Sequence, residues 1–467
     1  MSLLAGLGPL SNRAPEYQNQ NTLVFDGLGR LRYVPLSRRI LALPLEILAE
    51  IFTHCLPDVD FITPNPSTAP LALCGVCHQW REVALSTPTL WSSLELILDP
   101  AALDKGPCQW DAYVYLCMTW LARARQAPLV LSLRLGTGLT RPECVRPILQ
   151  AIAGMSAQWR IINFDPSLVD TSLLFPNTAA PPAFPILEKV TCKNNTQFTS
   201  LLPFVNAPRL REFHTYSYPI ALHPDFPWAQ ITTFTARYAS SASCFWHVLD
   251  RAINLVEGKF RFQLWKDPVI PSESPTSIKS LDHLQSLSVD TNSEEGTAPT
   301  PISVLRHLKT PALKRLTLRQ HSFEPRPIDA SAFCSWISQS AVRLHYLELS
   351  FAPVSSEPLI ICLKALPSLV ELQLQILRNV DFDPLFSQLT NSDFLPRVEI
   401  MHCQFSTASP SNPHVLARAL RCRWDAVGIT RLRTFWIFKW NGADYFEAII
   451  SELQQLQQEG MDLHYRG

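Results

Sequence analysis

Apolar side chains recur along this chain with two periods. Leu43, Ile47, Leu48, Ile51 and Phe52 are separated by helical steps, which places them on one face of an α-helix. Pro44 suits the first turn of that helix, where a missing N–H costs no hydrogen bond, and Pro57 marks its end. Residues 57–70 form a Pro-punctuated loop, and a second helix is expected over residues 71–86, followed by Pro88, Leu90 and Trp91. Residues 110–125 and 142–155 also carry helical patterns. Between them Leu129, Leu131, Leu133 and Leu135 alternate with the period of a strand. Residues 1–36 mix Gly and Pro with polar residues and read as irregular.

From about residue 185 the pattern becomes a repeat, Leu-x-x-Leu-x-Leu. Leu284, Leu313, Leu344 and Leu369 open its four best copies, at steps of 29, 31 and 25 residues. Leu187-Val190-Cys192 is another copy, Leu210-Phe213-Thr215 a weaker one and Leu432-Phe435-Ile437 the last; the Ile231 and Leu255 regions fill the gap. Helices are expected over 330–341, with Asp329 as N-cap, and over 358–366, 413–424 and 445–458, the last closing the array. The longest polar, Pro-rich linkers are 267–280, 291–301 and 404–413.

The last two apolar positions of each copy lie two residues apart, so they point to the same side of a short strand. One copy cannot bury that side alone; stacking copies in parallel joins the apolar positions into a continuous core. The residues between them then face solvent on the inner side. Lys189, Thr191, Glu212, His214, Arg315, Thr317, Tyr346, Glu348, Glu371, Gln373, Thr434 and Trp436 are such positions. They form a surface of mixed charge and no net sign, partly aromatic, suited to a protein partner. Glu212, His214, Arg315, Tyr346, Glu348, Glu371, Gln373 and Trp436 are the candidate target-binding residues.

The repeat resembles leucine-rich repeats over roughly residues 185–440. That family places Asn or Cys three positions after the third apolar residue; Asn195 and Asn292 fit, whereas His321, Ala352 and Leu377 stand there in other copies. An uneven array is therefore expected. Residues 41–94 resemble the F-box, most closely that of mushroom-forming fungi, through Leu43-Pro44-Leu45-Glu46-Ile47, then Val76-Cys77-His78-Gln79-Trp80, then Pro88-Thr89-Leu90-Trp91. Leu45 and the length of the 57–70 linker depart from the pattern. The resemblance implies a three-helix unit that packs on the Skp adaptor of a Skp–cullin–F-box ubiquitin ligase. Leu43, Pro44, Ile47, Ile51, Phe52, Val76 and Trp80 would be the contact set or its support, with contact expected above all for Pro44 and Phe52, while Leu90 and Trp91 fill the unit's own core.

The expected organisation is an irregular segment at 1–38, an F-box at 39–95, a helical linker with first irregular repeats at 96–184, and a repeat solenoid with a closing helix at 185–467. The fold class is α/β: a three-helix F-box followed by an irregular leucine-rich-repeat solenoid of short parallel strands with helical or irregular returns.

Composition narrows the function. At 47% hydrophobic and 17% charged residues, the chain can bury a large core. Its 40 basic and 40 acidic residues cancel and form no long run of one sign, so neither a nucleic acid nor a membrane is an expected partner. No signal peptide and no bilayer-length apolar run is read, and 12 scattered cysteines fit a reducing compartment, so a cytoplasmic or nuclear protein is expected. Cys74-Gly75-Val76-Cys77-His78 matches a haem-attachment pattern, but that chemistry needs export. A zinc set of Cys55, Cys74, Cys77 and His78 lacks a second paired-Cys motif. No phosphate-binding Gly loop or nucleophile motif stands out, so no cofactor is expected and the chain is not read as an enzyme. The expected function is substrate recognition for a ubiquitin ligase; the alternative is a scaffold that assembles proteins without ubiquitination.

Overall fold

The computed structural model describes residues 21–25, 31–35, 43–98, 107–135, 142–164, 182–192, 202–216, 225–239, 242–262, 278–291, 301–321, 328–351, 353–376, 380–405, 412–439 and 443–466. The chain divides into two compact units, one of residues 1–94 with 115–127 and one of 95–114 with 128–467.

In the first unit, β1 (Asn21–Phe25) and β2 (Leu31–Pro35) pair antiparallel, with Leu23 opposite Tyr33, where an irregular segment was expected. The helices are α1 (Leu45–His54), α2 (Leu71–Cys74) and α3 (His78–Ser86), followed by a 3-10 turn at Pro88–Trp91. Pro44 is the N-cap of α1 and not part of its first turn; its carbonyl accepts from the Leu48 N–H at 3.1 Å. The helix ends at His54, before Pro57, when the Cys55 N–H closes onto Ile51 O at 3.1 Å. The single helix expected over 71–86 is broken. Cys77 is fully extended, a conformation no helix continues through, and its Sγ accepts from the Trp80 N–H at 3.5 Å to cap α3. The long 57–70 linker is tied down: the Ile62 N–H donates to Ser93 Oγ at 3.3 Å, that hydroxyl donates to Asp60 O at 3.1 Å, and Ile62 is buried.

The remaining strands are β3 (Ser93–Leu98), β4 (Leu129–Leu135), β5 (Trp159–Phe164), β6 (Lys189–Cys192), β7 (Glu212–Thr215), β8 (Thr233–Ala239), β9 (Glu257–Phe262), β10 (Lys279–Ser280), β11 (Ser286–Thr291), β12 (Leu308–Lys309), β13 (Arg315–Gln320), β14 (Tyr346–Phe351), β15 (Glu371–Ile376), β16 (Ile400–Phe405), β17 (Thr434–Lys439) and β18 (Asp462–Arg466). β10 and β12 form a small parallel pair. The others form one 14-stranded sheet in chain order, β3 to β18, solenoid-like and parallel from β4 onward. Within residues 96–184, where first irregular repeats were expected, β4 pairs in parallel with β5, with a register shift between Leu129 and Val130, and β5 pairs in parallel with β6.

The returns carry α4 (Pro107–Ala124), α5 (Pro142–Gly154), α6 (Ala242–Arg251), α7 (Ala330–Ser340), α8 (Glu357–Lys364), α9 (Asp383–Gln388), α10 (Pro413–Trp424), α11 (Ala443–Glu447) and α12 (Ile450–Gln458). The residues of β3 and α4 are shared between the two units. Asp329 caps α7, accepting from the Ala332 N–H at 2.9 Å. The closing helix expected over 445–458 is two helices, and a further strand, β18, follows them. Most of the three polar linkers lies outside the described residues, as do Asn195, Asn292, Ala352 and Leu377.

The strands align residue by residue. Leu287, Leu316, Leu347, Leu372, Met401, Phe435 and Leu463 share one buried row, and Val289, Leu318, Leu349, Leu374, Cys403 and Ile437 the next. Each fully buried leucine contributes about 1.5–3 kcal/mol, so the rows supply the stability that no single short strand has. Toward β6 the first row turns aromatic, with Phe213 and Phe234 ring centres 6.1 Å apart. Gly258 sits between Phe234 and Leu287 in that row; a Cβ there would lie 3.0 Å from the Phe260 ring and 3.2 Å from Leu255, so a larger residue fits only if those side chains shift. Before β16, the buried Arg423 donates to the carbonyls of Leu389, Asn391, Phe394 and Leu395, which fixes the turn that feeds the strand. Among the described residues no helix is long and apolar enough to cross a membrane.

Candidate functional site

Two surfaces carry the sequence-derived candidates, and each belongs to one unit. In the first unit α1 divides its apolar residues between two sides. Leu48 and Phe52, four residues apart, are fully buried, and the Phe52 ring lies 4.9 Å from that of Trp80. Pro44, Ile47 and Ile51 form a separate stripe toward solvent, with Ile47 48% and Ile51 40% exposed. Val76, in the turn between α2 and α3, is 58% exposed, and Leu45 is exposed beside the stripe. Leu43 and Trp80 are half-buried. The expectation that Phe52 is a contact residue is therefore corrected: at 0% exposure it is core, because it shares the inward side with Leu48 and meets Trp80. Leu90 and Trp91 are core as well. The Trp91 indole donates to Ala84 O at 2.8 Å, packs edge-on to Trp120 at 4.9 Å, and carries Arg123 over its ring.

The second surface is the outward side of the strands. Its central row runs in register through Thr191, His214, Thr235, Lys259, Ser288, Thr317, Glu348, Gln373, His402, Trp436 and His464. A neighbouring row holds Lys189, Glu212, Glu257, Arg315, Tyr346, Glu371, Thr434 and Asp462. One candidate is not open to solvent. Tyr346 is 8% exposed, because the Arg315 guanidinium lies over its ring at 4.0 Å and its hydroxyl donates to Glu348 at 3.0 Å. Burial, followed by the Glu348 and Glu371 carboxylates, holds the Tyr346 phenol well above its ordinary range. The remaining candidates are partly or fully exposed.

The charges on this side are unevenly distributed. Over β6 to β13 the carboxylates are all engaged: Glu212 with Lys189 at 3.1 Å, Glu257 with Lys259 at 2.6 Å, and Asp290 with His321 at 3.0 Å and Arg261 at 3.6 Å. Arg319 reaches forward to Glu348 at 2.6 Å. Arg237 and Arg315 remain, and both are held by tyrosine rings, Arg237 over Tyr216 at 4.7 Å and Arg315 over Tyr346. From β14 to β18 the balance reverses, with Glu348, Glu371 and Asp462 against Arg466. The mixed charge expected of this face is thus polarised along it.

At the β18 end Trp436, 48% exposed, stands between two imidazoles, with ring centres 5.4 Å from His402 and 4.3 Å from His464. These residues with Gln373, Gln375 and Gln404 line a shallow concavity of about 800 Å³. Sequence reading missed His402, Gln404 and His464. In and just before β16, Val398, Met401 and Cys403 take the places of the repeat's leucines, and β18 keeps only Leu463.

Cys55 is exposed at the end of α1, Cys77 caps α3, and His78 turns toward Glu82 at 3.6 Å. Among the described residues no three His, Cys, Asp or Glu side chains converge on a common metal position.

With both surfaces described, the class is defined over one part of the chain: the F-box-like family model matches residues 40–96, which span the exposed α1 stripe and its buried support. The chain thus carries an F-box-like domain followed by a long parallel-strand sheet. No curated protein matches it.

Proposed function

We propose that this protein is the substrate-recognition subunit of a Skp–cullin–F-box ubiquitin ligase, working in the cytoplasm or nucleus. The F-box, a three-helix unit of α1, α2 and α3, docks on the Skp adaptor and through it a cullin. The strands, read as leucine-rich repeats, hold a target protein for ubiquitin transfer. Chemistry belongs to the partner enzymes, and this chain contributes proximity.

The observation that carries the reading is the exposed stripe of Pro44, Ile47 and Ile51 within the family match. Aliphatic side chains held out of the core on a rigid helix gain about 1.5–3 kcal/mol each when a partner covers them. Buried thiols such as Cys362 and Cys403 suit a reducing compartment. The test is co-purification with the Skp adaptor. Wild type retains it, and the Ile47→Glu, Ile51→Glu variant loses it while staying folded. Folded wild-type protein that never associates with the adaptor overturns the reading. Adaptor binding without cullin recruitment, or without change in any protein's turnover, replaces it with the scaffold.

A further inference from the structure

We propose that the strand face between β8 and β13 binds an acidic segment of the target, gripped by Arg237 and Arg315. This inference rests on the reading of that face as target-binding and names the chemistry of the target. The two arginines differ from the other outward cations of these strands. Lys189, Lys259, Arg261 and Arg319 are each within ion-pair reach of a carboxylate on a strand of this face. Arg237 and Arg315 instead lie over the rings of Tyr216 and Tyr346, 4.7 and 4.0 Å from the ring centres.

A guanidinium held over a ring by cation–π attraction spends none of its five N–H donors on a carboxylate, and those donors form the fork that matches one. The tyrosines also fix the arginines in place, so less side-chain freedom is lost when an anion arrives. Arg237 is further positioned by the backbone. It lies where the β8–β9 register shifts between Ala236 and Ala239, an irregularity of the kind that re-aims a side chain. Tyr346 is itself fixed by its bond to Glu348. Both arginines are exposed. Across β14 to β18 the outward charges have the opposite balance, which gives an internal control: an acidic segment has no reason to prefer the Trp436 end.

The experiment uses the full chain and fluorescent peptides of about eight residues, long enough to cross β8 to β13 at roughly 3.3 Å per residue against ~4.8 Å per strand. One peptide alternates Glu with Ser; others replace Glu by Gln, Lys or phosphoserine, and a single-stranded DNA of similar length is added. The Glu peptide should bind, more weakly as salt rises, and the Gln and Lys peptides should not. Arg237→Gln with Arg315→Gln should weaken binding about tenfold, and the paired Lys substitutions, which keep charge but lose the fork, about threefold. Melting curves and adaptor co-purification on the same preparations show that each variant is folded. Equal binding of the Gln peptide, indifference to both arginine pairs, or tighter binding of phosphoserine peptide or DNA overturns the inference. If adaptor binding persists in that case, only the target chemistry is wrong; if peptide binding holds but the adaptor never binds, the receptor reading is what fails.

Discussion

The outward stripe of α1 and the outward face of the strands present opposite surfaces. The stripe is Pro44, Ile47 and Ile51, side chains that make no specific bond and exclude water when covered. The strand face is an array of side chains already bonded to one another, among them Arg319 to Glu348, Thr317 to Glu348 and Gln373 to Glu371. Apolar burial is non-directional and little affected by salt, which suits one invariant partner. A bonded polar array rejects groups that leave its members unpaired, which suits selection among partners. Four sets of substitutions test how sharply the molecule keeps these roles apart.

The largest effect separates the stripe from its support. Phe52 and Ile51 are consecutive, but one is core and the other exposed. Phe52→Ala removes a ring packed on Trp80 and should destabilise the protein by about 3–5 kcal/mol. Ile51→Ala should leave stability within about 0.5 kcal/mol. Chemical denaturation of both variants measures the contrast, and equal losses would mean that α1 has no free side.

Next is binding. Ile47→Glu with Ile51→Glu should reduce adaptor affinity about 100-fold, equivalent to about 2.7 kcal/mol, and the wild-type affinity should stay flat as salt is raised. A steep salt dependence in calorimetry would show that charge, not the stripe, carries the contact.

The division of α1 shows what the sequence could and could not reveal. Periodicity identified the helix and its apolar positions, but a helix apolar over so wide an arc leaves undecided which apolar residues face in. Phe52 was misassigned because size favours an aromatic at an interface as much as in a core. In the strands the alternation was legible wherever Leu filled it, as at Leu316 and Leu318. It was lost at β16, where Met401 and Cys403 do the same packing with less regular chemistry. The break at Cys77 was hidden because the run from Leu71 to Ser86 is helical in composition; only a capping thiol interrupts it. The β1–β2 pair had a signal in the sequence, the Asp26-Gly27 dipeptide between two runs rich in β-branched and aromatic residues, Thr22-Leu23-Val24-Phe25 and Tyr33-Val34. The charge polarity of the face was not legible at all. It depends on which carboxylates the register sets beside which cations.

A smaller effect probes that register. Tyr346→Phe removes the hydroxyl that donates to Glu348 but keeps the ring under Arg315, and should cost about 1 kcal/mol in thermal denaturation. Because Arg319 and Thr317 also reach Glu348, the loss is cushioned. A loss as large as that of Phe52→Ala would mean that the polar face is as cooperative as the core.

The smallest effect is the pH response, which the apolar stripe cannot have. Burial lowers the His214 pKa from its ordinary 6.5; the bond to Glu212 opposes this, and the Lys189 and Lys259 charges reinforce it. The unfolded chain therefore binds the proton more readily than the folded one, so the stability held above pH 6.5 falls as pH drops below that value. Glu212 acts lower. Burial raises its pKa, but the hydrogen bonds and charges of Lys189 and His214 outweigh this and bring it below the ordinary 4.5, so its contribution is present above 4.5 and is lost as pH falls further. His214→Gln should flatten the upper part of the melting-temperature profile and only soften the acid limb, which Lys189 still sustains, and Glu212→Gln should flatten the acid limb. A profile unchanged by both would mean that this corner of the face contributes nothing to folding and is free to serve binding alone.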